Sequence, residues 1–364
     1  MKIDSIELVN YRNYNNAKVE FADKLNIIIG KNAQGKTNLL EAVFLCAIGR
    51  SPRTTSDKNL IKMDCEFAKV NIEVIKNVGR AQIELYLFNN QNKAIKINGI
   101  GIKKIGQLFG TFNAIYFSPN DLKLIKDGPD ERRKFMDMDL CQFDKNYFYD
   151  ITNYNKVLQM RNKLLKSGNE KNLKDTISIW NEQLAISGAK IIFARLRLIE
   201  KLKKYAAKLH SYLSAEEETL EISYQGYTAD SENDLKLILL KKYDESLNKD
   251  IQLGYTTVGP HRDDIKIVSN GIDLRSFGSQ GQQRTGALSL KLAELEVFKE
   301  STGEYPVVLL DDVLSELDSI RQERLLTFVS GMQTIVTCTN FDFDLPHKKF
   351  EVEGGKIIGV EEIK

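Results

Sequence analysis

Apolar residues in the first third of the chain follow the spacing of strands and then of a helix. Leu25 to Ile29 is a continuous apolar run of the kind found in strands that are buried on both faces. A glycine-rich turn follows, and Thr37 to Ile48 then has the length and the one-sided apolar pattern of a helix. Strand patterns continue at Ala68 to Ile75, Ala81 to Phe88 and Asn113 to Phe117. We therefore predict an α/β domain in this region.

The pattern changes after about Gly128, where strand signals become scarce. Pro129 suits the first turn of a helix, because the N–H that proline lacks would have no helical partner there. Between Leu184 and Leu213, apolar residues recur at steps of three and four, which predicts a long amphipathic helix. Strand patterns resume near Ile265 to Val268 and continue to the Thr334 to Thr337 segment.

This order of patterns predicts a head domain that is interrupted by a helical arm. We expect the head to comprise residues 1–128 and 251–364, and the arm to comprise residues 129–250. The predicted fold class is α/β, with mixed sheets in the head and an inserted helical unit.

Composition restricts the class of protein. The 364 residues are 42% apolar and 28% charged, as in an ordinary globular protein. No run of 18 apolar residues is present, so we expect no transmembrane helix and no membrane partner. The four cysteines are widely scattered, which favours reduced buried thiols over disulfides or zinc. We expect a cytoplasmic protein.

Charge is unevenly distributed along the chain. The net charge is only +2, so the chain as a whole does not indicate nucleic acid binding. Lysine and arginine are nevertheless concentrated between Leu184 and His210, and acidic residues after Ser301. Composition alone favours a solvated helix surface for the basic segment over a phosphate-binding one.

The segment Gly30 to Thr37, GKNAQGKT, matches the phosphate-binding pattern G-x-x-x-x-G-K-[ST] and lies between a predicted strand and a predicted helix. Its glycines permit a tight loop with inward N–H groups, Lys36 places a cation on the β- and γ-phosphates, and Thr37 offers a hydroxyl to Mg²⁺. We therefore predict ATP and Mg²⁺ as ligands. The predicted nucleotide-binding residues of this loop are Gly30, Lys31, Asn32, Ala33, Gln34, Gly35, Lys36, Thr37 and Asn38.

A second chemical segment follows the apolar run Val307 to Leu310, which ends in Asp311 and Asp312. A buried strand that presents carboxylates at its C-terminal end is a common Mg²⁺ position in α/β sheets. We assign Asp311, with Thr37, to the metal, and Asp312 to polarising the attacking water. The predicted catalytic residues are Lys36, Asp311 and Asp312.

A third segment begins at Ser279, which is a good N-cap for the helix pattern that follows. Free N–H groups behind such a cap form an anion site, and Gly281 allows another backbone to approach closely. The alternative is a capped helix with no ligand.

The residues SQGQQR, from Ser279 to Arg284, resemble the signature of the ABC ATPases, and SELD, from Ser315 to Asp318, resembles their D-loop. In that family the signature serine contacts the γ-phosphate held by the other subunit. The resemblance implies an ABC-type head and an ATP-dependent homodimer, in which ATP binding favours the closed state. The residues that it adds to the nucleotide site are Ser279, Gly281, Gln283 and Asp318.

Further blocks are similar to the recombination-mediator branch of the SMC-like repair ATPases. They are NYRNY from Asn10, GRSPRT from Gly49, FSPNDL from Phe117, VGPHRDD from Val258 and FGSQGQQRT from Phe277. The resemblance implies binding to double-stranded DNA at gaps or junctions, slow hydrolysis of ATP, and work with RecO and RecR to place the RecA recombinase.

Two departures from the transporter ATPases accompany this resemblance. The switch histidine is absent after the last strand, where Thr337 or Thr339 is the candidate sensor of the γ-phosphate. No glutamine stands clearly in the place of the Q-loop. A subunit that energises a membrane transporter is the alternative function, but the long arm and these departures favour the DNA-repair branch.

Four basic residues near the Ser51–Pro52 turn are the DNA-binding candidates: Arg50, Arg53, Lys58 and Lys62. They either contact the DNA backbone or form an exposed basic loop without a ligand.

Four other residues have predicted roles, and two of them, Arg12 and His261, carry an open alternative. Arg12 either approaches the nucleotide, as we expect from the resemblance, or pairs with a nearby carboxylate. Arg132 and Arg133 suit helix-surface ion pairs. His261 suits a structural corner of ion pairs, and a role at the ATP site or an interface is its alternative.

Overall fold

A computed structural model describes residues 1–167, 173–215 and 218–363, of which residues 173–175 are described by their backbone alone. The chain divides into two compact units, and each is described by itself. Unit 1 comprises Met1–Asp121 and Glu294–Lys364, and unit 2 comprises Leu122–Ala293. None of the helices in these ranges has the length and apolarity that a membrane span requires.

Unit 1 contains a mixed sheet built around the predicted apolar runs. Its described strands run in the order β15-β14-β3-β13-β12-β8, and they are parallel except for the antiparallel edge strand β15. The central strands are buried along their length because helices cover the sheet. The strands are β3 (Leu25–Ile29), β8 (Ala114–Phe117), β12 (Val307–Asp311), β13 (Thr334–Cys338), β14 (His347–Glu353) and β15 (Lys356–Ile363).

A second sheet of unit 1 is antiparallel, in the order β2-β1-β4-β5-β6-β7. Apolar residues alternate with polar ones along β5, as expected for a sheet with one buried face. The strands are β1 (Lys2–Tyr11), β2 (Tyr14–Glu20), β4 (Phe67–Lys76), β5 (Gly79–Phe88), β6 (Ala94–Ile97) and β7 (Ile100–Gly101). The helices of this unit are α1 (Lys36–Ile48), α9 (Ser319–Val329) and the last part of α8 (Gln280–Thr302).

Unit 2 is mainly helical and also contains a small antiparallel sheet, ordered β11-β10-β9. The predicted long helix is present and begins earlier than its apolar stripe. The helices are α2 (Lys123–Lys126), α3 (Pro129–Phe143), α4 (Lys145–Ser167), α5 (Leu173–Leu213), α6 (Glu232–Leu253), α7 (Leu274–Phe277) and the start of α8. The strands are β9 (Leu220–Gln225), β10 (Asp264–Ser269) and β11 (Ile272–Asp273).

The compact helical unit extends to Ala293, whereas the predicted arm ends at residue 250. Within this unit, β10 pairs with β9 along its whole length, and β9 lies in a region for which no strand was predicted. The predicted arm also includes residues 168–172 and 216–217, which lie outside the described residues.

Two arginines of α3 connect this helix to β10 and to the residue that precedes it. Arg132 is buried, rather than on a helix surface as predicted, and its Nε and Nη2 donate to the two carboxylate oxygens of Asp264 at 2.5 and 2.9 Å. Arg133 donates to the carbonyl oxygen of Asp263 at 2.6 Å. A bidentate guanidinium–carboxylate pair of this kind fixes both distance and orientation between α3 and β10.

His261 lies in a hydrogen-bonded network rather than in the predicted corner of ion pairs. Its Nε2 is 3.0 Å from the carbonyl oxygen of Thr256, which can only accept, so Nε2 carries the proton. Its Nδ1 then accepts from the hydroxyl of Tyr154 at 2.7 Å. Burial lowers the pKa of His261 to about 4, so the ring is neutral near pH 7.

The interior of unit 2 contains a buried ion pair between Arg161 and Asp250. Both side chains are fully buried, and Arg161 Nη1 donates to Asp250 Oδ2 at 2.7 Å. The guanidinium also donates to Asn181 on α5, and Thr257 donates to the other oxygen of Asp250 from both its N–H and its hydroxyl. The pair therefore ties α4, α5 and α6 together at one point.

We predict that Asp250→Ala lowers the free energy of unfolding of unit 2 by about 3–5 kcal/mol, because it leaves a guanidinium buried without its carboxylate. Urea unfolding followed by the fluorescence of Trp180, the single tryptophan of the chain, measures this unit. Glu245→Ala is the control, because its partner Lys242 is solvent-accessible and no measurable change is expected. Equal midpoints for the two variants would contradict the role given to the buried pair.

Candidate functional site

The phosphate loop joins β3 to α1, where the sequence places it. Gly30 has φ 156° and Gly35 has φ 120°, which are conformations that glycine adopts easily. A Cβ at Gly30 would also collide with the carbonyl oxygen of Val352 on β14. The ammonium of Lys36 is largely buried and donates to the loop carbonyls of Gly30 and of Lys31, the latter at 3.1 Å. The lysine is therefore already held inside the loop.

Asp311 lies at the carboxyl end of β12, next to the start of α1. Its Oδ1 accepts from the hydroxyls of Thr37 at 2.7 Å and Thr337 at 2.8 Å. Its Oδ2 accepts from the hydroxyl of Tyr116 at 2.5 Å. Parallel pairing explains the cluster, because Asp311 pairs with Thr337 across β12 and β13, and Tyr116 lies on the adjacent strand β8.

The donor set fits a magnesium ion. Thr37 and Asp311 bring hard oxygen atoms together next to the phosphate loop, and Mg²⁺ is usually held by one or two carboxylates together with substrate phosphates and water. Over the ranges that the structure describes, no group of three or more His, Cys, Asp or Glu residues forms a metal cage.

Asp312 follows directly, and its carboxylate is exposed. The residue has φ 55°, which is uncommon outside glycine, and its N–H donates to the carbonyl and hydroxyl oxygens of Thr337 at 3.2 and 3.1 Å. Thr337 thus orients both aspartates and is fully buried, whereas Thr339 is exposed. Of the two predicted γ-phosphate sensors, Thr337 is the one that is hydrogen-bonded to Asp311 and Asp312.

Neighbouring turns hold the phosphate loop from outside. Asn13, in the turn between β1 and β2, donates to the carbonyl oxygen of Gln34 at 2.8 Å and accepts from Asn38 at 2.9 Å. From the turn between β14 and β15, the N–H groups of Gly354 and Gly355 donate to the side chain and the carbonyl oxygen of Gln34 at 2.7 and 2.9 Å. The loop conformation therefore depends on residues far away in sequence.

Arg12 pairs with a carboxylate, which is the second of its two predicted roles. Its Nε and Nη2 donate to the two oxygens of Glu41 at 2.9 and 2.8 Å, and its Nη1 donates to the carbonyl oxygen of Asn59 at 2.8 Å. Glu41 lies on α1 with a fully buried side chain, and the hydroxyl of Ser51 also donates to it at 2.5 Å. The hydrogen bond to Glu41 raises the pKa of Arg12.

The four predicted DNA-binding residues divide into two pairs by their contacts. Arg50, Arg53 and Lys58 are exposed, and Lys62 is half-buried. Arg53 donates to Asn38 at 3.0 Å and lies 3.6 Å from Glu41, and Lys62 donates to the carbonyl oxygen of Asn13 at 3.2 Å. The second pair therefore braces the surroundings of the phosphate loop.

The signature segment belongs to unit 2 and forms a capping box. The hydroxyl of Ser279 accepts from the N–H of Gln282 at 3.2 Å, and the side chain of Gln282 accepts from the N–H of Ser279 at 3.1 Å. Gln282 also donates to Glu218 at 3.0 Å. Gln283, a predicted nucleotide contact, is buried and donates to the carbonyl oxygen of Leu274 at 2.8 Å.

Gly281 and Asp318 are the remaining predicted contacts. A Cβ at Gly281 would meet only Ser279 Oγ, at 3.9 Å, so packing within the described chain does not require a glycine there. Asp318 caps α9 by accepting from the N–H of Arg321 at 2.9 Å, and this hydrogen bond lowers the pKa of its carboxyl.

Sequence reasoning did not identify Tyr116, Asn13, Glu41 or the hairpin turn at Gly354 as parts of the site. The sequence contains a recognisable pattern for two of them. Glu41 is an acid within an apolar helical run, which indicates a buried carboxylate that needs a basic partner. The Gly354-Gly355 pair is a turn signal between two strand patterns.

Comparison with known proteins finds a matching family model and related chains. The family model described as the RecF/RecN/SMC N-terminal domain matches residues 2–344. The DNA replication and repair protein RecF of Lachnoclostridium phytofermentans is 48% identical over 343 residues, which is 94% of each chain. The chain belongs to the RecF family. The RecF of Clostridium acetobutylicum is 43% identical over 98% of this chain and 99% of its own.

Solved structures extend the comparison to the fold. A RecF structure with ATP, described as a recombination mediator of the RecFOR pathway, has a TM-score of 0.92 and 41% identity, and covers 100% of this chain and 97% of that one. An Smc head bound to the winged-helix domain of ScpA has a TM-score of 0.59 at 15% identity, which shows likeness of fold alone. The expected fold class, an ABC-type α/β head with an inserted helical unit, is confirmed.

We predict that Arg12→Met destabilises the protein by about 2–3 kcal/mol and leaves ATP affinity nearly unchanged. The cost is below that of most broken buried pairs, because Ser51 and Arg53 still reach Glu41. Calorimetric unfolding and titration with a fluorescent ATP analogue measure the two quantities, with Arg50→Met as the exposed control. A large loss of affinity without loss of stability would instead assign Arg12 to the nucleotide.

Proposed function

We propose that this chain is an ATP-dependent DNA-binding repair protein. It dimerises on ATP, binds double-stranded DNA at gaps or junctions, slowly hydrolyses ATP, and assists RecA loading together with RecO and RecR. Full-length relatives named as DNA replication and repair proteins, and the RecF structure with ATP, support this proposal. The observation that carries its ATP-dependent part is the contact between Thr37 and Asp311 beside the lysine of the phosphate loop.

The nucleotide binds at the phosphate loop of unit 1. Lys36 exchanges the carbonyl oxygens of Gly30 and Lys31 for the β- and γ-phosphates, and the N-terminus of α1 adds its partial positive charge. Thr37 and Asp311 hold Mg²⁺, which when bound neutralises phosphate charge. Arg12 is left out of this set, because its guanidinium nitrogens already donate to Glu41 and Asn59.

We assign the activation of the attacking water to Asp312. Its carboxylate is exposed next to Asp311, and the contacts of its N–H with Thr337 fix the direction in which the side chain leaves the strand. It orients the attacking water and accepts its proton. An aspartate reaches less far than the glutamate common at this position, so slow turnover is expected.

A second copy completes each site. The capping box leaves Ser279 and Gly281 exposed at the N-terminus of α8, where free N–H groups favour an anion. The open space over Gly281 accommodates close approach by another molecule, here the ATP held by the partner. Gln283 and Asp318 act indirectly, by holding the segment to Leu274 and by capping α9.

Arg50 and Lys58 contact DNA phosphates, which gives binding without sequence preference. Arg53 and Lys62 support this surface from their contacts with Asn38 and Asn13. The alternative function is a subunit that energises a membrane transporter. The phosphate loop and the signature are common to both functions, so these two segments do not favour the alternative.

We predict that Lys36→Met abolishes ATP binding, because the main phosphate cation is lost. Isothermal titration with ATP and Mg²⁺ measures the affinity, and Lys24→Met is the control at an exposed position of the same unit. ATP affinity equal to that of the unmodified protein would count against the assignment of the loop.

We predict that Ser279→Arg leaves ATP binding by one subunit intact and prevents ATP-dependent dimers, because a bulky cation then occupies the start of α8. Sizing chromatography with light scattering, with a non-hydrolysable ATP analogue, measures the mass. Gln91→Arg adds the same charge at an exposed loop position and should still dimerise. A dimer that persists in the Ser279 variant would refute the arrangement between two copies.

A further inference from the structure

One face of the long helix α5 is basic along much of its length. Its members are Lys190, Arg197, Lys201, Lys204 and Lys208, which follow one another at steps of seven, four, three and four residues. At about 100° per residue, all five lie within roughly 40° of a common line along the helix. At about 1.5 Å per residue the line is roughly 27 Å long. We call this set the α5 basic stripe.

The stripe faces solvent. Lys190, Arg197, Lys204 and Lys208 are exposed, and Lys201 is half-buried. Buried residues occupy the other side of the helix, where α5 packs on α4, α6 and β9. The side of α5 that packs against its neighbours therefore lies away from the stripe.

Acidic residues are scarce in the segment that carries the stripe. Glu200 is the only acidic residue between Lys190 and Lys208 in the sequence, and it lies on the flank, where it pairs with Lys203 at 2.5 Å. Lys190, at one end, is 3.5 Å from Asp150 of α4.

The helix α6 provides a contrast within the same unit. There Lys242 pairs with Glu245 at 2.7 Å, and Lys236 reaches Glu182 of α5 at 3.4 Å. Alternating signs are the usual pattern of a solvated helix surface. Like charges at steps of three and four repel each other and destabilise a helix, so the one-sign stripe lowers the stability of α5 in isolation. A polyanionic partner removes that repulsion.

We propose that the α5 basic stripe is a second DNA-contacting surface, which lies along the phosphate backbone of duplex DNA. This inference rests on the proposed DNA-binding function and adds a surface in unit 2 to that of Arg50 and Lys58 in unit 1. Duplex DNA presents about one negative charge per 1.7 Å of its axis, and the stripe is nearly as long as one helical turn of about 34 Å. Long flexible lysines suit phosphates rather than base edges, so the contact is independent of sequence.

The test compares two variants with the same change of charge. The stripe variant combines Arg197→Gln, Lys201→Gln, Lys204→Gln and Lys208→Gln. The control combines Lys236→Gln, Lys241→Gln, Lys242→Gln and Lys249→Gln on α6. Glutamine has a helix propensity close to that of lysine and arginine, so α5 and α6 should keep their structure, and Trp180 fluorescence verifies this.

Fluorescence anisotropy with a blunt duplex and a non-hydrolysable ATP analogue gives the affinity between 50 and 200 mM salt, a range in which the effect of phosphate contacts is large. Each lost phosphate contact lowers the slope of log affinity against log salt by about 0.9, so the stripe variant should lose about 3 to 4 from the slope. The control should keep the slope of the unmodified protein. Lys208→Gln alone should lose about 0.9.

Three results would overturn the proposal. An unchanged slope in the stripe variant would show that the stripe does not contact DNA phosphates, and that it is either a solvated surface or a site for an acidic protein partner. An equal loss in stripe variant and control would show a general charge effect. Failure of the unmodified protein to bind duplex DNA would contradict the proposed DNA-binding function itself. This result differs from the first one, in which the unmodified protein binds DNA and the stripe variant binds it with the same slope.

Discussion

The buried carboxylate of Asp311 is the constraint on which the site depends. A carboxylate in the interior needs hydrogen-bond donors, and within the described residues the hydroxyls of Thr37, Thr337 and Tyr116 provide them. These hydroxyls come from α1, β13 and β8, which are far apart in the sequence and adjacent at the carboxyl edge of the mixed sheet. A change of register in β8 would remove the donor to Oδ2, and a change in α1 or β13 would remove one of the two donors to Oδ1. The same arrangement brings a threonine hydroxyl and an aspartate to the end of the phosphate loop.

The phosphate loop has a related requirement. Its N–H groups must point inward to an anion, so its outward-facing carbonyls and side chains need partners elsewhere in the unit. Asn13 and the glycine turn of the C-terminal hairpin satisfy Gln34, and Arg12 ties α1 to the antiparallel sheet through Glu41. Unit 2 uses the same physical device in its helices, where the Arg161–Asp250 pair joins three helices and Gln282 fixes the start of α8. In both units, polar groups with fixed geometry position the segments that carry the chemistry.

Much of this architecture was accessible from local patterns, because apolar runs and turn residues act over a few positions. The strand Leu25–Ile29 was predicted at its observed bounds, and the helix after the phosphate loop to within one residue. The strand Leu220–Gln225 was missed, because its pairing with Asp264–Ser269 is set by a partner some forty residues away. The buried state of Arg132 was also missed, since an arginine on a helix gives no local sign that a carboxylate will meet it from a strand.

The sequence by itself determined the chemical groups of this protein: a lysine and a threonine at the end of a glycine loop, two aspartates after an apolar strand, and a serine before a helix. These are local features, and their spacing is enough to indicate a phosphate site and a family of ATPases. Only the tertiary structure decided which of these groups meet. It paired Asp311 with Thr37 and Tyr116, turned Arg12 towards Glu41, and decided which side of α5 packs against α4, α6 and β9. Long-range pairing and burial decide such contacts, and neither can be deduced from a single local pattern.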